Sequence, residues 1–431
     1  MNESRMMDTI RLALRAVQAG SAEVSVGYGS SITTRMADNI ITQNVRQEGH
    51  NLSVSCAYGN RHGGASTNDL SDESIRAVVR RAEAIAKVAR PDPEFMPPLP
   101  ATEARKYLKV EGFVPAVLEA TPRALASSLA AAARKVRARK LRLSGAVTSG
   151  WYLNARGNSA GLRCFHRSSE VETHMTALGA AGSGWAQESS HDPAGVNVGR
   201  VAAEACEVAA RAQHPGDLPP GKHTVIMQPA AAAEFMMFVA WAGWDAKATD
   251  EGRTFLRGKL GKRIFGPNIT LRTDPTDPRC PGGPFDWDGL AMRPLDLVRN
   301  GVVANLLYSR YWAKRKRKAA NGWPTNYIMD GEGTSVDDMI RSTARGLLIT
   351  RFWYVRYVDR MIPSATGMTR DGLFLIENGR ITRPVKQMRF NANLVETLNK
   401  VEMTGTPVRS YMLVPALKIR DFPFTSTTKF G

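Results

Sequence analysis

Six residues able to bind a metal or transfer protons occupy every second position of one segment of this 431-residue sequence. On a continuous strand, alternate residues share one face, so these groups would form a row: Cys164, His166, Ser168, Glu170, Glu172 and His174. The row could supply zinc ligands, but its spacing matches no closed zinc pattern. The spacing favours a solvated polar face, or two strands that turn near Ser168-Ser169.

Four aspartates form a second candidate cluster, namely Asp274, Asp277, Asp286 and Asp288. Paired carboxylates can perform acid–base chemistry or bind calcium. The spacing of a calcium loop is absent, however, and proline and glycine residues flank the aspartates. Because an aspartate side chain readily hydrogen-bonds backbone two residues further on, we predict turn and capping roles.

Other chemical motifs are missing from the sequence. It contains no nucleophile elbow, P-loop or dinucleotide fingerprint. The four cysteines never form a CxxC pair, which predicts free buried thiols in a reducing compartment: Cys56, Cys164, Cys206 and Cys280. There is no apolar signal core near the N-terminus and no apolar run long enough to span a membrane. We therefore expect a cytoplasmic protein with no membrane association.

Local patterns indicate the elements that position these residues. The segment Ile349–Val358 is rich in aromatic and β-branched residues, which predicts a strand. Leu373–Glu377 and Arg380–Val385 flank Asn378-Gly379, and a two-residue Asn-Gly loop is the strongest short-range hairpin signal. The apolar segment Pro229–Trp244 predicts a buried helix.

Two segments rich in proline and glycine, 91–100 and 214–221, divide the chain. They predict an N-terminal α+β unit over 1–90, a middle α+β unit over 101–213 and a mainly β domain over 222–431. The first two units can pack as one domain. The expected class is α+β: an N-terminal α/β region with antiparallel strands and helices, then a mainly β C-terminal domain with one buried helix.

The strand and hairpin also carry the best binding candidates. A strand beside a cleft can pair with an extended peptide through main-chain hydrogen bonds, which predicts substrate-binding roles for Arg351, Tyr354, Arg356, Thr369, Arg370 and Asp371. The alternative for the aromatic residues nearby is core packing. For the arginines, which are costly to bury unpaired, the alternative is a solvated strand face.

The segment Gly346–Phe390 resembles the C-terminal domain of the TldD/PmbA family of peptide-processing proteins, long labelled modulators of DNA gyrase. Further short motifs occur in the order that is usual in that family: Thr254-Phe255-Leu256, Gly258-Lys259-Leu260-Gly261, Thr273-Asp274-Pro275, Phe285-Asp286-Trp287-Asp288-Gly289 and Arg299-Asn300-Gly301-Val302. The resemblance covers most of the chain, closely after Gly221 and loosely before it.

One family motif is absent. The TldD branch carries HExxxH on a helix, where two histidines hold a metal and the glutamate lies beside a metal-bound water. The corresponding segment here, Pro229–Trp244, contains no histidine, and its only acid is Glu234. None of the seven histidines lie four or five positions apart. The chain therefore resembles the metal-free PmbA/TldE branch.

The resemblance implies a non-catalytic subunit of a TldD/PmbA-type metallopeptidase complex that processes unfolded peptides. It implies no cofactor and no catalytic residue in this chain, with zinc expected only in a TldD-like HExxxH partner. Assembly would be as that heterodimer or as a homodimer, acting on an extended peptide. Two alternatives remain: a basic nucleic-acid or gyrase-associated binding protein, and a self-sufficient homodimeric hydrolase with an unrecognised site.

The net charge of +18 motivates the nucleic-acid alternative. Its densest part is the run Lys314–Lys318, close to Arg310. Charge alone supplies sequence-independent attraction that salt weakens. We therefore expect any nucleic-acid binding to be weak and unspecific, which a salt titration on two unrelated sequences would check.

Overall fold

The computed structural model describes residues 2–241 and 243–428. Its α-helices are α1 Glu3–Ala16, α2 Asp72–Val88, α3 Pro122–Ala138, α4 Val198–Arg211, α5 Pro229–Trp241, α6 Ala246–Asp250, α7 Arg310–Lys316, α8 Val336–Arg341 and α9 Leu394–Leu398. Its strands are β1 Ser21–Ala37, β2 Ile40–Tyr58, β3 Arg61–Thr67, β4 Arg142–Asn158, β5 Arg163–Leu178, β6 Ser183–Ser190, β7 Gly221–Met227, β8 Leu271–Thr273, β9 Leu295–Arg299, β10 Val302–Val303, β11 Ile328–Met329, β12 Arg345–Asp359, β13 Ser364–Glu377, β14 Arg380–Pro384, β15 Met388–Asn393, β16 Val401–Thr404, β17 Val408–Arg409, β18 Leu413–Val414 and β19 Leu417–Thr427.

The N-terminal half is built on one antiparallel sheet in the order β3-β2-β1-β4-β5-β6. The long pairing of β1 with β4 runs from Glu23 opposite Asn158 to Met36 opposite Gly145. The segments 1–90 and 101–213 therefore contribute to the same sheet. Strand β5 is continuous across Ser168-Ser169, so the turn considered there is wrong.

Helices α1 to α4 cover one face of this sheet. Alternate residues of β5 point toward them, including Met175 and Ala177, which share a core with residues of α3 and α4. In the part of the chain that the structure describes, none of these four helices packs on the opposite face. The helices begin at recognisable caps: Ser71 accepts from the Ser74 N–H, and Thr121 accepts from the Ala124 N–H.

The C-terminal half contains a closed barrel. Pairings run in the order β12-β7-β19-β15-β13, and β13 pairs back with β12. Helix α5 packs against this barrel, with the Phe235 ring 6.5 Å from that of Phe352. The predicted buried helix is confirmed, although it ends at Trp241 and Gly243 follows with φ 108°. The mainly β character of this half is also confirmed.

The predicted Asn-Gly hairpin is present. Strands β13 and β14 pair on either side of Asn378 and Gly379, whose φ angles are 49° and 73°. A second sheet of this half has the order β10-β9-β8-β11-β18-β17. Among the described residues, no helix has the length and apolarity needed to cross a membrane.

One buried carboxylate joins the barrel to the N-terminal sheet. Asp371, on β13, is 2% exposed and accepts hydrogen bonds from Ser183 Oγ of β6 at 2.6 Å and from Arg351 Nε of β12 at 2.7 Å. Its φ of 54° lies in the left-handed region, which aspartate tolerates better than most residues. Asp371 thus contributes one of the contacts between the two halves and fixes the position of Arg351.

We predict that D371N lowers the free energy of unfolding by about 3 kcal/mol, because breaking a buried pair leaves the other charge uncompensated. Asparagine keeps the size and the backbone preference, so the loss reports the charge. The matched control is E396Q, at an exposed carboxyl on α9. Urea denaturation of the three proteins checks this, and equal stability of D371N and the wild type would contradict it.

Candidate functional site: an interdomain cleft

A cleft of about 1110 Å³ lies between the N-terminal sheet, on the face opposite helices α1 to α4, and segments of the C-terminal half. Strands β1, β2, β4, β5 and β6 form its floor, and three C-terminal segments, the last of which begins in β17, form its other wall: Cys280–Gly283, Thr325-Asn326 and Arg409–Tyr411. Arg351 of β12 completes this wall. The volume is slightly above the range of about 300–1,000 Å³ that is typical of small-molecule pockets.

The polar row on β5 forms the middle of the floor. Five of its members line the cleft, namely His166, Ser168, Glu170, Glu172 and His174, whereas the buried Cys164 does not. The alternation of β5 therefore confirms that these residues share one face. Within residues 2–241 and 243–428, no three histidine, cysteine or acidic side chains are grouped so that they could hold a metal ion.

The charges in the cleft are mostly carboxylates. Glu48, Glu170, Glu172 and Glu188 line it, against two arginines, Arg351 and Arg409. Both arginines already have carboxylate partners, since Arg351 pairs with Asp371 and Arg409 Nη2 lies 3.0 Å from Glu170 Oε1. Glu188 is paired in turn with Arg200 of α4. Acidic side chains therefore outnumber basic ones in the lining of the cleft, in a chain whose net charge is +18.

The cleft histidines are held in their neutral form at pH 7. Burial lowers the pKa of His166 to about 4. Burial also lowers the pKa of His174, assisted by the positive charges of Arg351 and Arg35, and lowers that of His191, assisted by Arg409. Neutral imidazoles offer the cleft hydrogen-bonding groups without adding positive charge.

Glu234 of α5 is another titrating group of this region. Burial raises its pKa to about 7, although Arg351 and Arg356 act in the opposite direction. Glu234 and Glu172 both raise the pKa of Tyr411, after the larger effect of burial. Glu234 of helix α5 is thus close enough to the cleft for its charge to act on Tyr411, which lines the cleft. The helix offers one carboxyl and no imidazole there, a donor set that does not fit a catalytic zinc ion.

Of the six binding residues predicted from the sequence, Arg351 is the one in the wall of the cleft. Its guanidinium lies 4.7 Å from the ring centroid of Trp185, which also lines the cleft. Its pairing with Asp371 fixes this stacked position. Arg351 therefore presents a flat cationic surface to the cleft.

The other five predicted residues lie outside the cleft lining. Thr369 is fully buried, donating to Gln387 Oε1 at 2.7 Å and accepting from the Met388 N–H at 2.9 Å. Asp371 has the structural role described above. The remaining three lie on the outer surface of the barrel: Tyr354, Arg356 and Arg370.

Three of the four aspartates have the local roles expected of them. Asp274 accepts from the Thr276 N–H, Asp277 from the Arg279 N–H and Asp286 from the Asp288 N–H, each two residues further on. The prediction of turn roles is confirmed for these three residues. Bonds to Arg279 and Arg272 hold the pKa of Asp277 down at about 2.

The basic run is exposed at the end of α7 and beyond it. All five side chains from Lys314 to Lys318 are exposed, and Lys316 pairs with Asp250 at 3.0 Å. Arg315 lies over the ring of Trp312. None of its members is among the residues that line the cleft.

Comparison with protein-family models gives two matches. Residues 220–426 match the PmbA/TldA metallopeptidase C-terminal domain, and residues 22–86 match the PmbA/TldA metallopeptidase domain 1. The chain belongs to the PmbA/TldD family. The resemblance seen in the sequence is thereby confirmed.

Individual relatives agree with this assignment. The chain is 23% identical to metalloprotease PmbA of Escherichia coli O157:H7, over 95% of this chain and 94% of that protein. It is 29% identical to an uncharacterised protein of Methanocaldococcus jannaschii, over 43% of this chain but only 47% of that protein. The crystal structure of TldE from Thermococcus kodakarensis has the same fold, with a TM-score of 0.87 at 19% identity over 97% of this chain and 99% of that one.

The low pKa of His166 predicts a specific acid sensitivity. In the unfolded chain a histidine takes up its proton near pH 6.5, whereas folded His166 takes it up near pH 4. Between these values the unfolded state binds more protons, so stability is lost as the pH falls, by roughly 3 kcal/mol in full.

Replacing the imidazole with an uncharged amide should remove this loss. We expect H166N to lose less stability than the wild type between pH 7 and pH 4.5, whereas H214N, at an exposed histidine with a φ of 56° that asparagine also tolerates, keeps the wild-type slope. Urea denaturation across this range is the measurement. Parallel curves for H166N and the wild type would rule out the burial effect.

Proposed function

We propose that this chain is a non-catalytic, peptide-holding subunit of a cytoplasmic PmbA/TldD-type metallopeptidase complex. The observation that carries the proposal is the composition of α5. This helix corresponds to the metal-binding helix of the catalytic branch and approaches the cleft, yet Glu234 is its only acid and it has no histidine. The zinc and the activated water are accordingly assigned to an HExxxH-bearing partner.

The cleft supports the peptide-holding part of the proposal. Strand β6 is the last strand of its sheet, so its outer edge has no strand partner among the described residues. Gln187, Glu188 and Ser189 of β6 line the cleft. An extended peptide can add to such an edge through main-chain hydrogen bonds, which act on any sequence. This suits a complex that processes unfolded peptides.

Side chains around this edge suit an extended chain in other ways. Arg351, stacked on the buried ring of Trp185, offers a cationic surface at one end of β6. Glu170 and Glu172 of the adjacent strand offer carboxylates to peptide N–H groups or to basic side chains. The cleft thus combines backbone contacts, which act on any peptide sequence, with a moderate preference for basic peptides that its carboxylates provide.

The self-sufficient hydrolase has less support. A nucleophilic cysteine requires a thiolate with a lowered pKa, whereas burial raises the pKa of Cys280, the cysteine in the cleft wall. The neutral histidines lack a recognised serine or cysteine partner at hydrogen-bond distance among the described contacts. Nucleic acid is disfavoured in the cleft by its carboxylates, and the exposed run Lys314–Lys318 supports only unspecific attraction.

The test is a cleavage assay on a fluorescein-labelled, mixed-sequence decapeptide. We expect no cleavage by this chain alone and cleavage when an HExxxH-bearing family chain from the same organism is added. A chelator should abolish that cleavage by removing the partner's metal. Chelator-resistant cleavage by this chain alone, after rigorous removal of contaminating proteases, would contradict the proposal and favour the self-sufficient hydrolase.

Filling the cleft should separate peptide holding from assembly. S168W places a large ring on the floor of the cleft, and we expect it to weaken decapeptide binding by at least about tenfold, or about 1.4 kcal/mol. The control S127W places the same ring on the exposed side of α3 and should bind normally. Fluorescence anisotropy measures both. Equal binding by S168W and S127W would show that peptides bind elsewhere.

A further inference from the structure

The outer surface of the barrel carries a dense group of exposed apolar side chains. Five large hydrophobic residues lie exposed within ten positions, namely Trp353, Tyr354, Val358, Met361 and Ile362. Trp241, at the end of α5, is 61% exposed. Its ring contacts that of Phe238, and Phe238 contacts Tyr357 of β12. We call these six exposed residues, with Arg356, Arg360 and Arg370, the barrel patch.

The backbone at Tyr354 is strained in a way that creates part of this patch. Successive residues of a regular strand point to opposite faces, yet Trp353 and Tyr354 are both exposed and their ring centroids are 5.6 Å apart. The cause is a bulge in β12, where Tyr354 has a φ of 56°. A left-handed aromatic residue costs roughly 1–2 kcal/mol.

This strain is not offset by burial, because the Tyr354 side chain is 58% exposed. The cost of a bulge that turns two aromatic rings outward would be offset if another molecule covered the rings. Aromatic side chains held rigidly at a surface are typical anchors of protein interfaces. The patch is also larger than the scattered apolar residues usual on a monomer.

Three arginines give the barrel patch its charge. Arg356 lies over the Tyr354 ring at 4.6 Å, Arg360 over Tyr357 at 5.2 Å and Arg370 over Trp353 at 4.1 Å. In the described part of the chain, neither Arg356 nor Arg360 has an ion-pair partner. The nearest carboxylate to Arg370 is Asp371, at 3.7 Å, and Arg351 already binds it more closely.

We propose that the barrel patch is the docking surface for the HExxxH-bearing subunit, which contacts it with carboxylates set among apolar side chains. The proposal rests on the proposed function, since it names the surface through which that complex forms. A second copy of this chain is disfavoured as the occupant. A two-fold interface brings the same patch together from both chains, so the three arginines of each copy would share one interface, where like charges repel.

The location of the barrel patch fits this role. Arg351, in the wall of the cleft, lies on β12 two residues before Trp353. A subunit bound to the patch would therefore lie beside the mouth of the cleft. That position brings a partner's metal centre toward a peptide held on β6.

The test measures association with the HExxxH-bearing family chain of the same organism by isothermal titration calorimetry. We expect W353S/Y354S and R356E/R360E each to weaken association at least about tenfold. The control R134E/R137E reverses two exposed arginines on α3 and should bind like the wild type. Raising the salt concentration should weaken the wild-type complex and leave the R356E/R360E complex less affected. Circular dichroism confirms that each variant is folded.

The outcomes separate the two proposals. Tight association of the wild type that neither pair of substitutions weakens would overturn the barrel patch and leave the proposed function standing. Failure of the wild type to associate would remove the proposed function, and the docking proposal with it. Sedimentation analysis adds a third outcome: a wild-type homodimer that W353S/Y354S dissociates would make the occupant a second copy and overturn the proposal.

Discussion

The buried carboxylate of Asp371 is the interaction on which the cleft depends. It receives one hydrogen bond from the N-terminal sheet, through Ser183, and an ion pair from β12, through Arg351. A charge at 2% exposure is tolerated only when its partners are in place, so this interaction helps to hold the two halves in one relative position, together with contacts such as the Arg409–Glu170 pair. The same interaction aims Arg351 at Trp185 and thereby completes the wall of the cleft.

The arrangement of layers explains why the functional surface lies where it does. Helices cover one face of the N-terminal sheet, and the other face is left to polar residues of β5 that line the cleft. Burial in this cleft keeps the histidines uncharged, so its carboxylates determine its sign. A positively charged chain thus encloses a cleft in which acidic side chains outnumber basic ones, while its arginine-rich barrel patch faces outward. The two surfaces therefore differ in the sign of their charge, and we have proposed a different occupant for each.

Local chemistry could be predicted from the sequence, but long-range assembly could not. The hairpin at Asn378-Gly379, the caps at Ser71 and Thr121 and the shared face of β5 follow from rules that act within a few residues. The wall of the cleft comes from Cys280–Gly283 and Arg409–Tyr411, which meet β5 only through the packing of distant sheets. The glycine and proline residues of Cys280–Gly283 predict an irregular loop, but they do not predict which strand the loop contacts. For the same reason, one of the six predicted binding residues reached the cleft, and the bulge at Tyr354 could not be foreseen.

The central claim is that this chain holds peptide without holding the catalytic metal. Native mass spectrometry of the assembled complex tests it directly, because collisional ejection releases the subunits one at a time with their tightly bound metals. The account predicts one zinc ion that leaves with the HExxxH-bearing subunit, and this chain at its metal-free mass. Zinc that leaves stoichiometrically with this chain would contradict the account.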